Sequence, residues 1–163
     1  MKFATKSVHV GQEPDPTTGA VIPTIYMTAI YKYEDIGKTK GYEYSRNENP
    51  TRTVLEKTIA ELENGKHGLT FSSGMAAISV VTSILKPGDH LISSEDIYGG
   101  TYNLFQNILI QRGIEVSFVN TSNIENIGLG LKSNTKMIWI ESPSNPMLKL
   151  TNIKEVTELA QAK

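Results

Sequence analysis

Phe71-Ser72-Ser73-Gly74-Met75-Ala76-Ala77 lies where a strand-like apolar run over 67–71 gives way to a helical pattern over 75–85. A strand that turns through small residues into a helix leaves the first helical N–H groups without partners. The aligned peptide dipoles place about half a positive charge at the same end. The turn therefore reads as an anion seat, with phosphate as the expected guest. Gly74 has no Cβ to obstruct the approach, and Ser72 and Ser73 offer hydroxyl donors or a cap for the helix. A plain N-cap without a ligand is the competing reading, and a short glycine turn alone does not separate the two.

Downstream of this turn strand and helix patterns alternate. The apolar spacing predicts strands over 67–71, 90–93, 115–119 and 137–141 and helices over 75–85, 101–112, 124–131 and 153–162. Such alternation predicts an α/β fold with a parallel sheet, right-handed crossovers and helices on both faces. In open sheets of this kind ligands bind beyond the carboxyl ends of the strands. Three polar loops are expected at that edge: Ser72 to Met75, Asp96-Ile97-Tyr98-Gly99-Gly100-Thr101, and Glu141-Ser142-Pro143-Ser144-Asn145-Pro146. Together they offer an anion turn, an aromatic ring on a glycine-flexed loop, and a carboxamide next to prolines, which suits a flat phosphorylated ligand.

Upstream the character differs. Residues 1–50 carry Pro14, Pro16, Pro23 and Pro50 with Gly11, Gly19, Gly37 and Gly41, and hold no helical period for long. They read as an extended arm whose aromatics Tyr26, Tyr31, Tyr33, Tyr42 and Tyr44 need another surface to cover them. From Thr51, placed to cap, Val54, Leu55, Ile59 and Leu62 keep helical spacing until Asn64-Gly65 stops it.

The chain has 163 residues, 39% hydrophobic and 20% charged, which is the make-up of one globular domain. A net charge of −1 without any long Lys/Arg cluster excludes a nucleic-acid surface, which needs a concentrated basic field. No apolar stretch is long enough for a membrane helix, and the first residues lack the apolar core of a signal peptide, so a cytoplasmic location is expected. There is no cysteine, and His9, His67 and His90 stand far apart, so no metal site is expected and each histidine reads as structural.

At these residues the chain resembles the pyridoxal-phosphate enzymes of cysteine and methionine metabolism, the family of cystathionine γ-lyase and cystathionine γ-synthase. The resemblance runs from His9-Val10-Gly11-Gln12 and Asp15-Pro16-Thr17-Thr18-Gly19-Ala20, through Tyr42-Glu43-Tyr44-Ser45-Arg46 and Asn49-Pro50-Thr51, to all three loops. It implies pyridoxal 5'-phosphate as cofactor and a three-layer, parallel-sheet large domain of fold type I, the aspartate-aminotransferase-like fold. Residues 51–163 would be the first part of that domain and residues 1–50 an arm that makes a dimer contact. The family also implies a homo-oligomer, a dimer of dimers.

Residue by residue, the resemblance makes Ser73, Gly74 and Met75 the cofactor-phosphate turn, Gly74 and Met75 through their backbone N–H groups. Tyr98 becomes the tyrosine that stacks on the pyridine ring and moves protons, and Asn145 the partner of the ring's phenolic oxygen. Tyr44 and Arg46 become a pair that reaches the neighbouring subunit's phosphate, a role that suits arginine's planar fork. Thr24 after Pro23 departs from relatives that carry a second proline there. The family pattern continues beyond Lys163 with an aspartate for the pyridinium nitrogen, the Schiff-base lysine and a substrate-carboxylate arginine. Ser133-Asn134-Thr135-Lys136 imitates the motif around that lysine, but Lys136 precedes a predicted strand and so belongs to the opposite edge of the sheet.

The implied function is β- or γ-elimination or γ-replacement on a sulfur amino acid or an activated homoserine, with this chain as the amino-terminal part. An O-acetylhomoserine sulfhydrylase or methionine γ-lyase relative is an alternative. From another class stand a non-catalytic truncated chain or an interaction subunit. Leu69, Phe71, Ile92, Ile138 and Ile140 lie on strands whose apolar edge and face later strands of the missing half would cover, so an oligomeric or aggregation-prone chain, or else an ordered piece of a longer protein, is expected.

Overall fold

The computed structural model describes residues 1–163 and divides into two compact units, Met1–Phe71 and Ser72–Lys163. In the second unit three strands form a parallel sheet: β1 (His90–Ser94), β2 (Glu115–Val119) and β3 (Thr135–Trp139), in the order β2-β1-β3. The central strand is buried along its whole length, as a parallel strand covered on both faces must be.

Alternation along the strands sorts the core into two layers. Leu91, Val116, Phe118, Met137 and Trp139 share one layer, and Ile92, Val119 and Ile138 the other. The first layer meets α3 (Gly74–Thr82) through Ile78 and the helix that begins as α4 (Gly99–Leu104) through Leu104, Phe105 and Leu109. Phe105 sits edge-to-face on Trp139 with ring centroids 5.7 Å apart. The second layer meets α5 (Ile124–Gly130) through Ile124 and Ile127, and α6 (Ile153–Gln161) through Val156 and Leu159. Helices on both faces are what the alternating pattern predicts. Each fully buried large apolar side chain contributes about 1.5–3 kcal/mol.

The structure corrects several expectations. Residues 67–71 form no strand, because no neighbouring segment offers them a ladder; the Thr70 N–H instead donates to Glu56 Oε1 at 3.1 Å. Leu69 and Phe71 are exposed as expected, but Ile92 is buried and Ile138 and Ile140 pack in the second layer, because α5 and α6 close that face. The helix predicted over 101–112 begins at Gly99 and widens into a π turn over Phe105–Leu109 and a tight 3₁₀ turn over Ile110–Arg112. β3 starts and ends two residues before the predicted 137–141, leaving Glu141 in the following loop. His90 pairs with Thr135 and Leu91 with Met137, so Lys136 is the extra residue of a bulge.

His90 is buried in the sheet. Its ring is held between Thr135 Oγ1, 2.7 Å from Nδ1, and Ser117 Oγ, 2.9 Å from Nε2. Burial lowers its pKa from 6.5, Lys132 lowers it further, and Glu115 opposes both. The histidine is structural, as the sequence suggests.

The first unit holds two helices, α1 (Phe3–His9) and α2 (Pro50–Leu62). The arm reading missed α1, which buries no residue and is tied to α2 by Lys6, 3.5 Å from Glu61 Oε2. Asn49 rather than Thr51 caps α2: its side chain accepts from the Thr51 N–H at 2.9 Å, with Pro50 at the first helical position. Thr51 Oγ1 instead accepts from the Tyr26 N–H at 2.9 Å. Asn64, in a left-handed conformation at φ 52°, ends the helix as expected, with the Gly65 N–H returning to Ala60 O at 2.7 Å. Between the helices only two isolated antiparallel bridges form, Ile30 with Tyr44 and Asp35 with Lys38.

Candidate functional site

Ser73 enters α3 in an extended conformation, φ −161° and ψ 162°. Its Oγ accepts from the Ala76 N–H at 3.1 Å and its carbonyl from the Ala77 N–H at 3.1 Å. The two remaining amides of the first turn, those of Gly74 and Met75, have no partner within the chain. These are the two that the family resemblance assigns to the cofactor phosphate. The space over Gly74 is open, since a Cβ built there meets nothing within 4 Å. Ser73 is thus a cap whose own hydroxyl is committed to the helix, while Ser72 is exposed and makes no hydrogen bond.

Tyr98 precedes α4, and its half-exposed ring folds back over Gly100. A Cβ on Gly100 would come within 2.5 Å of the ring Cε1 and 3.0 Å of Met75 Sδ, so glycine is needed for this close approach. The same glycine therefore brings Tyr98 and Met75 together and joins the aromatic to the anion turn. Asn145 lies on the loop after β3, exposed, with a side chain that makes no hydrogen bond. Its loop is bound to that of Tyr98 through Asp96 and Glu141, two residues that the sequence reading quoted within the loops and gave no role. Their signal was present: each is an acid in a glycine- or proline-bearing loop at a strand's carboxyl end.

Tyr44 and Arg46 belong to the first unit, Met1–Phe71. They form a pair there, with Arg46 Nη2 donating to the Tyr44 hydroxyl at 3.2 Å and the guanidinium 5.1 Å from the ring centroid. Both are exposed. Lys136, at the amino-terminal end of β3, is on the edge opposite the loops of Tyr98 and Asn145 and is no part of this site.

Two free amides below open space and a half-exposed aromatic ring beside them fit a phosphorylated, flat heterocycle such as pyridoxal phosphate. The profile of the family described as Cys/Met metabolism PLP-dependent enzyme matches residues 4–163. The chain belongs to that family. It is 45% identical over 159 residues to a probable cystathionine gamma-synthase of Herpetosiphon aurantiacus, covering 98% of this chain and 50% of that protein. A cystathionine beta-lyase of Coxiella burnetii is 44% identical over 160 residues, covering 98% of this chain and 41% of its own length. The crystal structure of cystathionine gamma-lyase from Lactobacillus plantarum, complexed with L-serine, superposes with a TM-score of 0.93 at 42% identity, over 99% of this chain and 42% of that one. The chain thus spans half or less of the length of these relatives.

Proposed function

We propose that this chain is the amino-terminal part of a pyridoxal-phosphate enzyme that acts on a sulfur amino acid of the cystathionine type, by β- or γ-elimination or γ-replacement. The observation that carries the reading is the pair of unpartnered amides at Gly74 and Met75, under open space and joined through Gly100 to the ring of Tyr98. The names of the relatives, a gamma-synthase, a beta-lyase and a gamma-lyase, support the substrate class.

In this reading the Gly74 and Met75 N–H groups hold the cofactor phosphate at the positive end of α3. Tyr98 stacks on the cofactor ring, orients it and carries a proton at its phenolic oxygen; Asn145 hydrogen-bonds the ring's phenolic oxygen. Ser73 fixes the turn by capping it. When bound, the cofactor supplies the electron sink for breaking bonds at the amino acid. Arg46, with Tyr44, supplies a charge-assisted contact to the phosphate of a neighbouring subunit, and the same proposal takes the whole protein as a cytoplasmic homotetramer. The apolar residues that the first unit exposes, Val21, Ile22, Ile25, Met27 and Ile30 among them, support association.

The test is to purify the full-length protein, record the visible absorbance of bound pyridoxal phosphate, and assay both thiol release from cystathionine, which reads elimination, and thiol consumption with an activated homoserine, which reads γ-replacement. Cofactor absorbance with either thiol release or thiol consumption is the expected result. A protein that does not bind the cofactor, or that binds it and neither releases thiol from cystathionine nor consumes thiol with an activated homoserine, overturns the proposal.

A further inference from the structure

β1 and β3 are neighbours in the sheet, so the loops that leave their carboxyl ends run side by side. Each sends a carboxylate into the other. Asp96 Oδ2, from the loop after β1, accepts from Ser144 Oγ at 2.6 Å and from the Met147 N–H at 3.2 Å. In return Glu141 Oε2, from the loop after β3, accepts from the Tyr98 N–H at 3.0 Å. An ion pair between Lys149 and Glu95, at 2.9 Å, adds a third link.

The turn that carries Asn145 is closed on itself around Ser144, which is 4% exposed. The Ser144 N–H donates to Lys149 O at 2.9 Å, the Leu148 N–H to Ser144 O at 3.0 Å, and the Lys149 N–H to Ser144 Oγ at 2.9 Å. Asn145 stands between Ser144 and Met147, the two residues that Asp96 grips. The side chains of Asn145 and Tyr98 themselves make no hydrogen bond in the chain, so their tips stay free while Glu141 holds the Tyr98 backbone and Asp96 holds Ser144 and Met147 on either side of Asn145.

We propose that Asp96 and Glu141 are a reciprocal pair of positioning residues that sets the separation of the Tyr98 and Asn145 loops for the cofactor ring. The inference rests on the functional reading of the site given above. A hydrogen bond to a carboxylate is about twice as strong as one between neutral groups, and two such links in opposite directions resist both spreading and sliding of the loops. A ligand that stacks on one loop and hydrogen-bonds the other binds well only while that separation holds, since ordering the loops at the moment of binding costs affinity.

The test uses the full-length protein and the variants Asp96→Ala, Asp96→Asn and Glu141→Ala. Amide hydrogen exchange at Met147 and Tyr98 reports the links without reference to activity, and pyridoxal phosphate titration with the visible circular dichroism of the bound cofactor reports the positioning. Asp96→Ala is expected to unprotect Met147, weaken cofactor binding about tenfold and change the dichroic band. Asp96→Asn, whose amide oxygen still accepts, restores part of both. Glu141→Ala is expected to unprotect Tyr98 with the same spectral change. Should Asp96→Ala fail to fold, Glu141→Ala decides the pair by the same two measurements, with exchange read at Tyr98.

Unchanged affinity and dichroism in a variant whose amides have lost protection overturns the positioning role, and unchanged protection overturns the clasp itself. Failure of the unsubstituted protein to bind pyridoxal phosphate overturns the functional reading and the positioning role with it, while amide exchange still decides whether the clasp exists.

Discussion

The two units of this chain solve the burial problem differently. Ser72–Lys163 buries nine apolar residues against the two faces of a sheet, whereas Met1–Phe71 buries only Ala60. In the first unit Val21, Ile22, Ile25, Met27, Ile30 and Ile36 are each more than 70% exposed, and order comes instead from side-chain hydrogen bonds such as Thr58 Oγ1 to Val10 O at 2.9 Å. One unit is built around a core. The other is a strap of turns braced on α2, and its exposed apolar side chains are available for contacts beyond this chain.

The largest test of that contrast removes a core ring. Phe105→Ala deletes a fully buried side chain packed on Trp139 and should cost about 3–5 kcal/mol, whereas Met27→Ala, 91% exposed, should stay within about 0.5 kcal/mol. Denaturant unfolding of both variants checks the difference. Equal costs would show that the first unit has a core of its own.

Next in size is Arg46→Ala. Losing a charge-assisted hydrogen bond to phosphate should weaken cofactor retention by about 1.5–3 kcal/mol. If the strap serves a neighbouring subunit, mixed dimers that pair one Arg46→Ala chain with one unsubstituted chain will show the defect in the unsubstituted chain's site. A defect confined to the substituted chain's own site removes that role from the comparison.

A smaller loss is expected from Gly100→Ala. The added Cβ meets the edge of an exposed ring and a thioether, both of which can swing away, so stability should hardly move. The swing displaces Tyr98 from the anion turn, and cofactor binding should weaken about tenfold. Unchanged binding beside an unchanged unfolding midpoint would mean that the ring's place over Gly100 is not used.

The same contrast sets how much was legible in the sequence. The layers of the second unit could be read because neighbouring residues such as Leu91 and Ile92, or Met137 and Ile138, face opposite cores, and a continuous apolar strand between helical patterns has few other solutions. Residues 67–71 carry a strand-like run too, yet a strand also needs a neighbour, and apolarity does not supply one. Helix α1 left no periodic trace because it buries nothing and depends on Lys6 and α2. At the candidate site, loop chemistry and resemblance single out Gly74, Met75, Tyr98 and Asn145. Asp96 and Glu141 were not given roles, because their partners, Ser144, Met147 and Tyr98, lie more than forty residues away in sequence.

The smallest effect is expected from pH, and it tests the second unit alone. His90 is neutral in its slot between Thr135 and Ser117, with a pKa below the ordinary 6.5, first because of burial and then because of Lys132. In the unfolded chain the same ring takes up a proton near 6.5. Between those two values the unfolded state binds more protons than the folded one, so stability falls as the pH drops. The contribution is complete above the unfolded pKa, is lost progressively as the pH falls from about 6.5 towards the folded value, and changes no further below that. Unfolding free energies measured from pH 8 downward on the chain and on His90→Gln decide it: the histidine chain should lose stability through this window more steeply than the glutamine variant. Parallel curves would show that the ring can be protonated in place, with Thr135 and Ser117 turning their hydroxyls to accept from both nitrogens, and that the buried slot at the head of β1 tolerates charge.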